Sequence, residues 1–249
     1  MKDIFEPYWS QFLDKFNIQN ELFKIPNNTD KYCVIIEPRE SPILEKVIKN
    51  FMSQLQKKNW GLIIFHGENN DIYIKEKLKN MKNVNFINLG IDNLNNKTYN
   101  QLLKSKQFWK ILIDKFNCDK CLIFQLDTLL LKDNIEDFNQ YDFLGAPWAI
   151  KFKGLYEVGN GGLSLRSTKK MLEICEKIIS NEKENEDIYF SRGCSELNFN
   201  LPTKEIAMKF SVETIFYDDP MGLHNPYINN FKQEYIDLME RSINKNFQL

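Results

Sequence analysis

The chain has 249 residues, 43% hydrophobic and 27% charged, enough to bury the core of one large α/β domain or two small ones. Its 33 Lys and Arg against 34 Asp and Glu leave a net charge of −1, so no global field holds nucleic acid or an anionic membrane. No apolar run reaches the roughly 18 residues of a membrane span.

The opening "MKDIFEPYWSQFLDKF" has no continuous apolar block and does not read as a signal peptide. Five Cys is an odd count, which argues against a complete disulfide framework, and a reducing, cytoplasmic setting is expected. "CDKC" (Cys118 to Cys121) has redox spacing, but it opens a strand instead of a helix, and no second pair completes a zinc site.

Residues 1–30 read as an N-terminal helical arm closed by the turn "PNNTD" at 26–30. "YCVIIE" (32–37) predicts a first strand. "SPILEKVIKNFMSQLQKK" predicts a helix with Ser41 as N-cap and Pro42 at its first position, since Leu44, Ile48, Met52 and Leu55 recur at helical spacing. "WGLIIFHG" (60–67) is a second strand, "NDIYIKEKLKNM" a second helix and "VNFINL" (84–89) a third strand. A helical region from Thr98 to Phe116 leads to a fourth strand, "CLIFQLD". Shorter strands follow in "YDFLGAPW" and "VGNGGLSLR", then helices at 167–180 and in "EDIYFSRGCSELNF".

Continuous apolar strands between amphipathic helices indicate strands covered on both faces. The expected fold class is α/β, a Rossmann-like, mostly parallel open sheet with helices on both faces. No linker or repeat divides it, so residues 31–249 read as a single domain. Residues 31–130 form a nucleotide-binding half, and 131–249 complete the substrate site.

In such sheets ligands lie at the carboxyl ends of the strands. That edge collects Glu37 and Arg39, His66 and Gly67, and Gln125 and Asp127. Asp127 interrupts the run "CLIFQLDTLLL", which is costly unless the carboxylate is paired, hydrogen-bonded or bound to a cation. At the mouth of a sheet it can hold a divalent ion; the alternative is a cap on the next turn, with Thr128. Arg39 can meet a phosphate or a base, or pair with Glu37 or Glu40. Gly159, Gly161 and Gly162 crowd into four residues, as where a backbone turns sharply or approaches a ligand. No dinucleotide fingerprint or phosphate loop accompanies them. Glu186 and Asp187 open a helix, where the dipole favours acids and where a general base can also stand. His224 lies in "DDPMGLHNPY", a Pro- and Gly-punctuated loop, and is a candidate metal ligand.

Taken in order, "VIIEPRESPILEKVIKNF", "WGLIIFHGENN", "FWKILIDKF", "CLIFQLDTLLL", "YDFLGAPW", "VGNGGLSLRS", "EDIYFSR" and "MGLHNPY" resemble a GT-A-fold glycosyltransferase-like family of bacteria, fungi and large DNA viruses. The resemblance covers roughly 31–228. It implies a GT-A domain that moves a sugar, hexosyl or deoxyhexosyl, from a nucleotide-sugar donor to a glycan or glycoconjugate hydroxyl. UDP is the implied nucleotide and Mn2+ or Mg2+ the implied cation. The family's metal-binding Asp-x-Asp matches Gln125-Leu126-Asp127, so its first acid is absent and Asp127 keeps the metal-facing role, joined by His224. The family's Glu-Asp site maps onto Glu186-Asp187, with Asp187 as the base of an inverting displacement. Its Gly-rich segment maps onto Asn160-Gly161-Gly162. Nucleotide contacts map onto Glu37, Arg39, His66 and Gly67.

Two other functions compete. A sugar-1-phosphate nucleotidyltransferase normally carries a Gly-rich loop after its first strand, where this chain reads "EPRESP" without a glycine. A non-catalytic glycan- or nucleotide-binding module of the same fold accommodates the half-lost acidic triplet.

Overall fold

The structure is a computed structural model that describes residues 9–10, 12–14, 23–26, 28–152, 156–225 and 232–247. Its centre is a six-stranded sheet of β1 (Lys31–Ile36), β2 (Gly61–His66), β3 (Asn85–Asn88), β4 (Lys120–Phe124), β5 (Phe143–Gly145) and β6 (Leu163–Ser167). The spatial order is β3-β2-β1-β4-β6-β5. The first four run parallel, and β6 runs antiparallel to both neighbours. This is the expected α/β open sheet, mostly parallel, with one reversed strand that the apolar pattern did not distinguish.

Successive side chains of a strand point to opposite faces, and here both faces are buried. Cys33 and Ile35 of β1, Leu62 and Ile64 of β2, and Leu122 and Phe124 of β4 enter one core with α1 (Leu44–Leu55). Phe51 of α1 stacks on Phe124, with ring centroids 4.1 Å apart. The alternate residues Val34, Ile63 and Ile123 enter a second core. There they meet α3 (Asn96–Leu103), α4 (Lys106–Lys110), α5 (Thr168–Lys177) and α6 (Glu186–Glu196). Residues 9–10 and 12–14 of the expected N-terminal arm are helical, and Trp9, Phe12 and Leu13 are buried in the first core. The rest of 1–22 lies outside the described residues.

Several boundaries differ from the expectation. α1 starts at Leu44, not at Pro42, and Ser41 contributes its carbonyl to Leu44 N–H, not a side-chain cap. The second helix, α2 (Asp71–Lys77), is short, and Met81–Lys82 instead pair in parallel with Phe23–Lys24. The region 98–116 breaks at Ser105, whose hydroxyl accepts from Phe108 N–H and starts a new helix that ends in a π turn at Ile111–Lys115. Trp109 indole N–H donates to the Leu103 carbonyl (2.7 Å) and seals that break. Strand β4 ends at Phe124, so Gln125-Leu126-Asp127 is a turn. A short strand, Thr128–Leu130, follows, and buried Asn50 of α1 pairs with both backbone groups of Leu130 (2.7 and 2.9 Å). That amide fixes the far side of the turn.

Candidate functional site

The chain order of the sheet reverses between β1 and β4: β2 lies to one side of β1 and β4 to the other. In open α/β sheets a crevice forms outside the carboxyl ends at such a point. Ile35 pairs with Phe124 in parallel register, so Glu37 and Gln125 leave the sheet at nearly the same level. Between them opens a cleft of about 540 Å³, lined by Glu37, Arg39, Tyr99, Gln125 and Asp127 among others.

At one end of the cleft Glu37 is buried and grips Arg39 three times. Its Oε1 accepts from Arg39 N–H (2.9 Å) and Nε (2.7 Å), and its Oε2 from Nη2 (2.8 Å). The guanidinium is held as a rigid fork while most of it stays open to solvent. Of the partners considered for Arg39, Glu37 is the one found.

At the other end, Thr128 N–H and hydroxyl both donate to the Gln125 carbonyl, which closes the turn and aims Asp127 out of the sheet. His224 is not in a loop. It ends the strand Gly222–His224, whose antiparallel pairing places His224 opposite Thr128. The register brings His224 Nε2 to 3.6 Å from Asp127 Oδ1. Behind it, Nδ1 lies 3.3 Å from Glu213 Oε1, out of hydrogen-bond geometry. Glu213 Oε2 accepts from Asn160 Nδ2 (2.8 Å), and Asn160 Oδ1 accepts from Gly162 N–H (3.1 Å). Burial pulls the His224 pKa down, but Glu213, Asp127 and Asp187 outweigh it and leave it raised.

The reversed direction of β6 carries the Gly-rich segment to this edge, since its first residue, Leu163, pairs with Phe124. Two glycines make room for side chains there. A Cβ on Gly162 would collide with the His224 ring, and one on Gly161 with the Glu186 carboxylate. Glu186 is buried and forms a two-pronged pair with Arg166 (2.6 and 3.0 Å). Arg166 is fully buried, donates Nε to Ser164 Oγ (2.9 Å), and lies over the rings of Phe143, Phe190 and Trp109.

The adjacent acids therefore divide. Both oxygens of Glu186 are taken by Arg166, so the site role expected of it is a holding role. Asp187 is only partly covered by protein, and its Oδ1 accepts from Ile188 N–H (2.8 Å). Burial first, then the Glu186 charge, push its pKa up to about 7, against Ile188 N–H, Arg166 and Gly161 N–H. A carboxylate poised near neutrality suits a general base.

His66 and Gly67 stand apart from the cleft. His66 is buried, donates Nδ1–H to the Gly67 carbonyl (2.7 Å), and sets Nε2 3.4 Å from Asp71. Gly67 lets the backbones of Pro38 and Ile91 approach closely. Neither residue lines the cavity; the loop carrying Arg39 is held by Asn70, whose amide donates to the Glu37 and Arg39 carbonyls. Cys118 and Cys121 are buried, and burial pushes both thiols up.

Sequence reasoning missed Glu213, Arg166 and Tyr99. Arg166 had a usable signal, because an arginine in a doubly covered strand demands a buried partner. Glu213 and Tyr99 had none.

Among the described residues, no group of three or more His, Cys, Asp or Glu is arranged to hold a metal ion. The donors present still fit a cation shared with a ligand. Magnesium-type ions are commonly held by one or two carboxylates together with substrate phosphates. A ligating histidine is ordinarily oriented by a carboxylate behind its other nitrogen, and Glu213 stands there.

Comparisons with known proteins add little chemistry. No curated protein matches the chain. It is similar in structure to HddC from Yersinia pseudotuberculosis at 13% sequence identity, over 64% of this chain and 84% of that one, with a TM-score of 0.39. A family model described as "Protein of unknown function (DUF5672)" matches residues 83–224, more than half of the length, and the chain belongs to that family.

Proposed function

We propose that the protein is a nucleotide-sugar-dependent glycosyltransferase of GT-A fold, acting on an acceptor hydroxyl with a divalent cation, Mn2+ or Mg2+. One observation carries this reading: the Asp127–His224 pair and Asp187 converge on the Gly161-Gly162 dipeptide at the end of the cleft. The open sheet with its cleft at the reversal of strand order supports the fold assignment.

In this reading the nucleotide, UDP on the family resemblance, occupies the cleft between Arg39 and Asp127. Asp127 and His224 would hold the cation, which supplies charge neutralisation to the diphosphate. Glu213 stands 3.3 Å behind the His224 ring as its charge partner, and Asn160 ties Glu213 to the Gly-rich turn. Asp187 accepts the proton of the acceptor hydroxyl as its oxygen attacks the anomeric carbon. The bond from that carbon to the diphosphate oxygen breaks in the same displacement, which inverts configuration. A base of this kind contributes about 10²–10⁴ in rate.

The neutral Gln125 beside Asp127 favours a second reading, a binding module of the same fold without turnover. Slow hydrolysis of UDP-sugars with added Mn2+ separates the two. Turnover by the wild type, lost about 10²-fold or more in Asp187→Asn, supports the transferase. Binding without hydrolysis or transfer supports the module. Near-normal turnover of Asp187→Asn removes Asp187 as the base.

A further inference from the structure

The side chains behind His224 form a chain of donors and acceptors that ends on a backbone group. The strand Ser211–Val212 runs parallel to Gly222–His224, with Val212 opposite Leu223. The next residue on each, Glu213 and His224, therefore stand side by side. Glu213, Asn160 and His224 are all buried. Tyr235 of the C-terminal helix Lys232–Phe247 donates its hydroxyl to the Glu213 carbonyl (2.9 Å), which fixes the backbone there. The His224 ring lies against Gly162, where a Cβ would strike its Nε2, Cε1 and Cδ2.

The polarity of this network is set at its far end. Gly162 N–H can only donate, and it meets Asn160 Oδ1 (3.1 Å). The Asn160 carboxamide is thereby oriented, with its NH2 turned to Glu213 Oε2 (2.8 Å). A carboxylate only accepts, so Oε1, the other oxygen, presents an acceptor to His224 Nδ1 at 3.3 Å. A neutral imidazole carries its proton on one nitrogen and a lone pair on the other. The proton therefore belongs on Nδ1 and the lone pair on Nε2, 3.6 Å from Asp127 Oδ1. Two acceptors then stand side by side, as a shared cation requires, and no N–H competes for either.

We infer that Glu213 is a positioning residue: held by Asn160, it fixes neutral His224 as the Nδ1–H tautomer and keeps the Nε2 lone pair beside Asp127 for the cation. This rests on the cation-assisted reading proposed above. The Gly-rich turn and the histidine thus share one network, Gly162–Asn160–Glu213–His224, and the turn does more than make room for the ring.

The test is nuclear magnetic resonance of the full chain carrying nitrogen-labelled histidine. The chain has two histidines, and His224→Gln assigns the signals by removing one set. At a pH high enough that the imidazole nitrogen shifts show a neutral ring, about 9, those shifts report the tautomer. The expected wild-type result is Nδ1–H for His224. In Glu213→Gln the new amide oxygen must serve the Asn160 NH2. That leaves an NH2 facing Nδ1, so the tautomer should switch to Nε2–H. In the same variant Mn2+ affinity in the presence of UDP, read from the paramagnetic resonance of free Mn2+, should fall about 10–100-fold. An Nε2–H tautomer in the wild type overturns the inference without recourse to any variant. So does a Glu213→Gln protein that keeps Nδ1–H, or one that binds Mn2+ as the wild type does. These three results leave the transferase reading standing wherever the wild type binds Mn2+ with UDP. A wild type that binds no Mn2+ removes the cation reading and this inference with it.

Discussion

Two of the Arg–Glu forks among the described residues differ in one respect. Arg39–Glu37 and Arg166–Glu186 are both two-pronged pairs with bonds of 2.6–3.0 Å. In the first, the arginine side chain is 57% exposed and the glutamate 6%; in the second the values are 0% and 6%. The first pair spends one edge of its guanidinium on the protein and leaves the rest facing the cleft. The second spends everything inside, where it supports the Gly161 turn and the start of α6. One chemical device thus lines the cleft in one place and serves as a beam in another. Exposure, not bond geometry, tells them apart.

Breaking the buried pair has the largest expected effect. Glu186→Gln leaves Arg166 charged and unmatched, which costs about 3–5 kcal/mol and lowers the melting temperature by about 10 °C. Replacing both partners with apolar residues should cost less than either single change, and a double-mutant cycle of melting temperatures checks this. A Glu186→Gln protein that melts with the wild type would contradict the beam role.

The next effect comes from the acid beside it. The folded pKa of Asp187 is about 7 against an ordinary value of 3.8, so the folded state holds the proton more tightly than the unfolded chain. The associated stability is fully present below pH 4 and is lost as pH rises through 7. Asp187→Asn has no such loss. Melting curves at pH 4.5 and pH 8 should therefore show the variant gaining on the wild type at the higher pH, by one to a few kcal/mol on the order of such shifts. A constant difference at the two pH values would contradict the raised pKa.

The exposed fork gives the smallest stability effect. Arg39→Ala should cost about 1 kcal/mol or less yet weaken nucleotide binding about tenfold, measured by calorimetry. Arg39→Lys should not restore binding, because lysine lacks the planar fork. If Arg39→Ala destabilises as much as Glu186→Gln, the distinction between the forks is lost.

The central strands were legible because burial on both faces writes continuous apolar runs such as "CVII" and "GLIIF". The reversed direction of β6 was not legible, since a strand covered on both faces reads alike in either direction. The Gln125-Leu126-Asp127 turn reads as strand in the sequence because Leu126 continues the apolar run; the two Thr128 bonds to the Gln125 carbonyl end it instead. At the site, the chain order placed Asp127 and His224 almost a hundred residues apart, and the pairing of 222–224 with 128–130 unites them. Glu186 and Asp187 looked equivalent as neighbours at a helix start. Only Arg166, reached across the fold from β6, separates their roles. Glu213 and Tyr99 sit in segments whose patterns serve packing, so their polar tips carried no local mark.

In the proposed function the cleft binds a nucleotide-sugar through Arg39 at one end and Asp127 with His224 at the other. The most direct measurement is a thermal-shift panel of nucleotides and nucleotide sugars, with and without Mn2+, on the wild type and on Asp127→Asn. A ligand at a hundredfold excess over its Kd adds about 2.7 kcal/mol of stability. The expected result is a Mn2+-dependent rise in melting temperature with UDP or a UDP-sugar that is lost in Asp127→Asn. No Mn2+-dependent rise with any nucleotide, or an equal rise in Asp127→Asn, would contradict it.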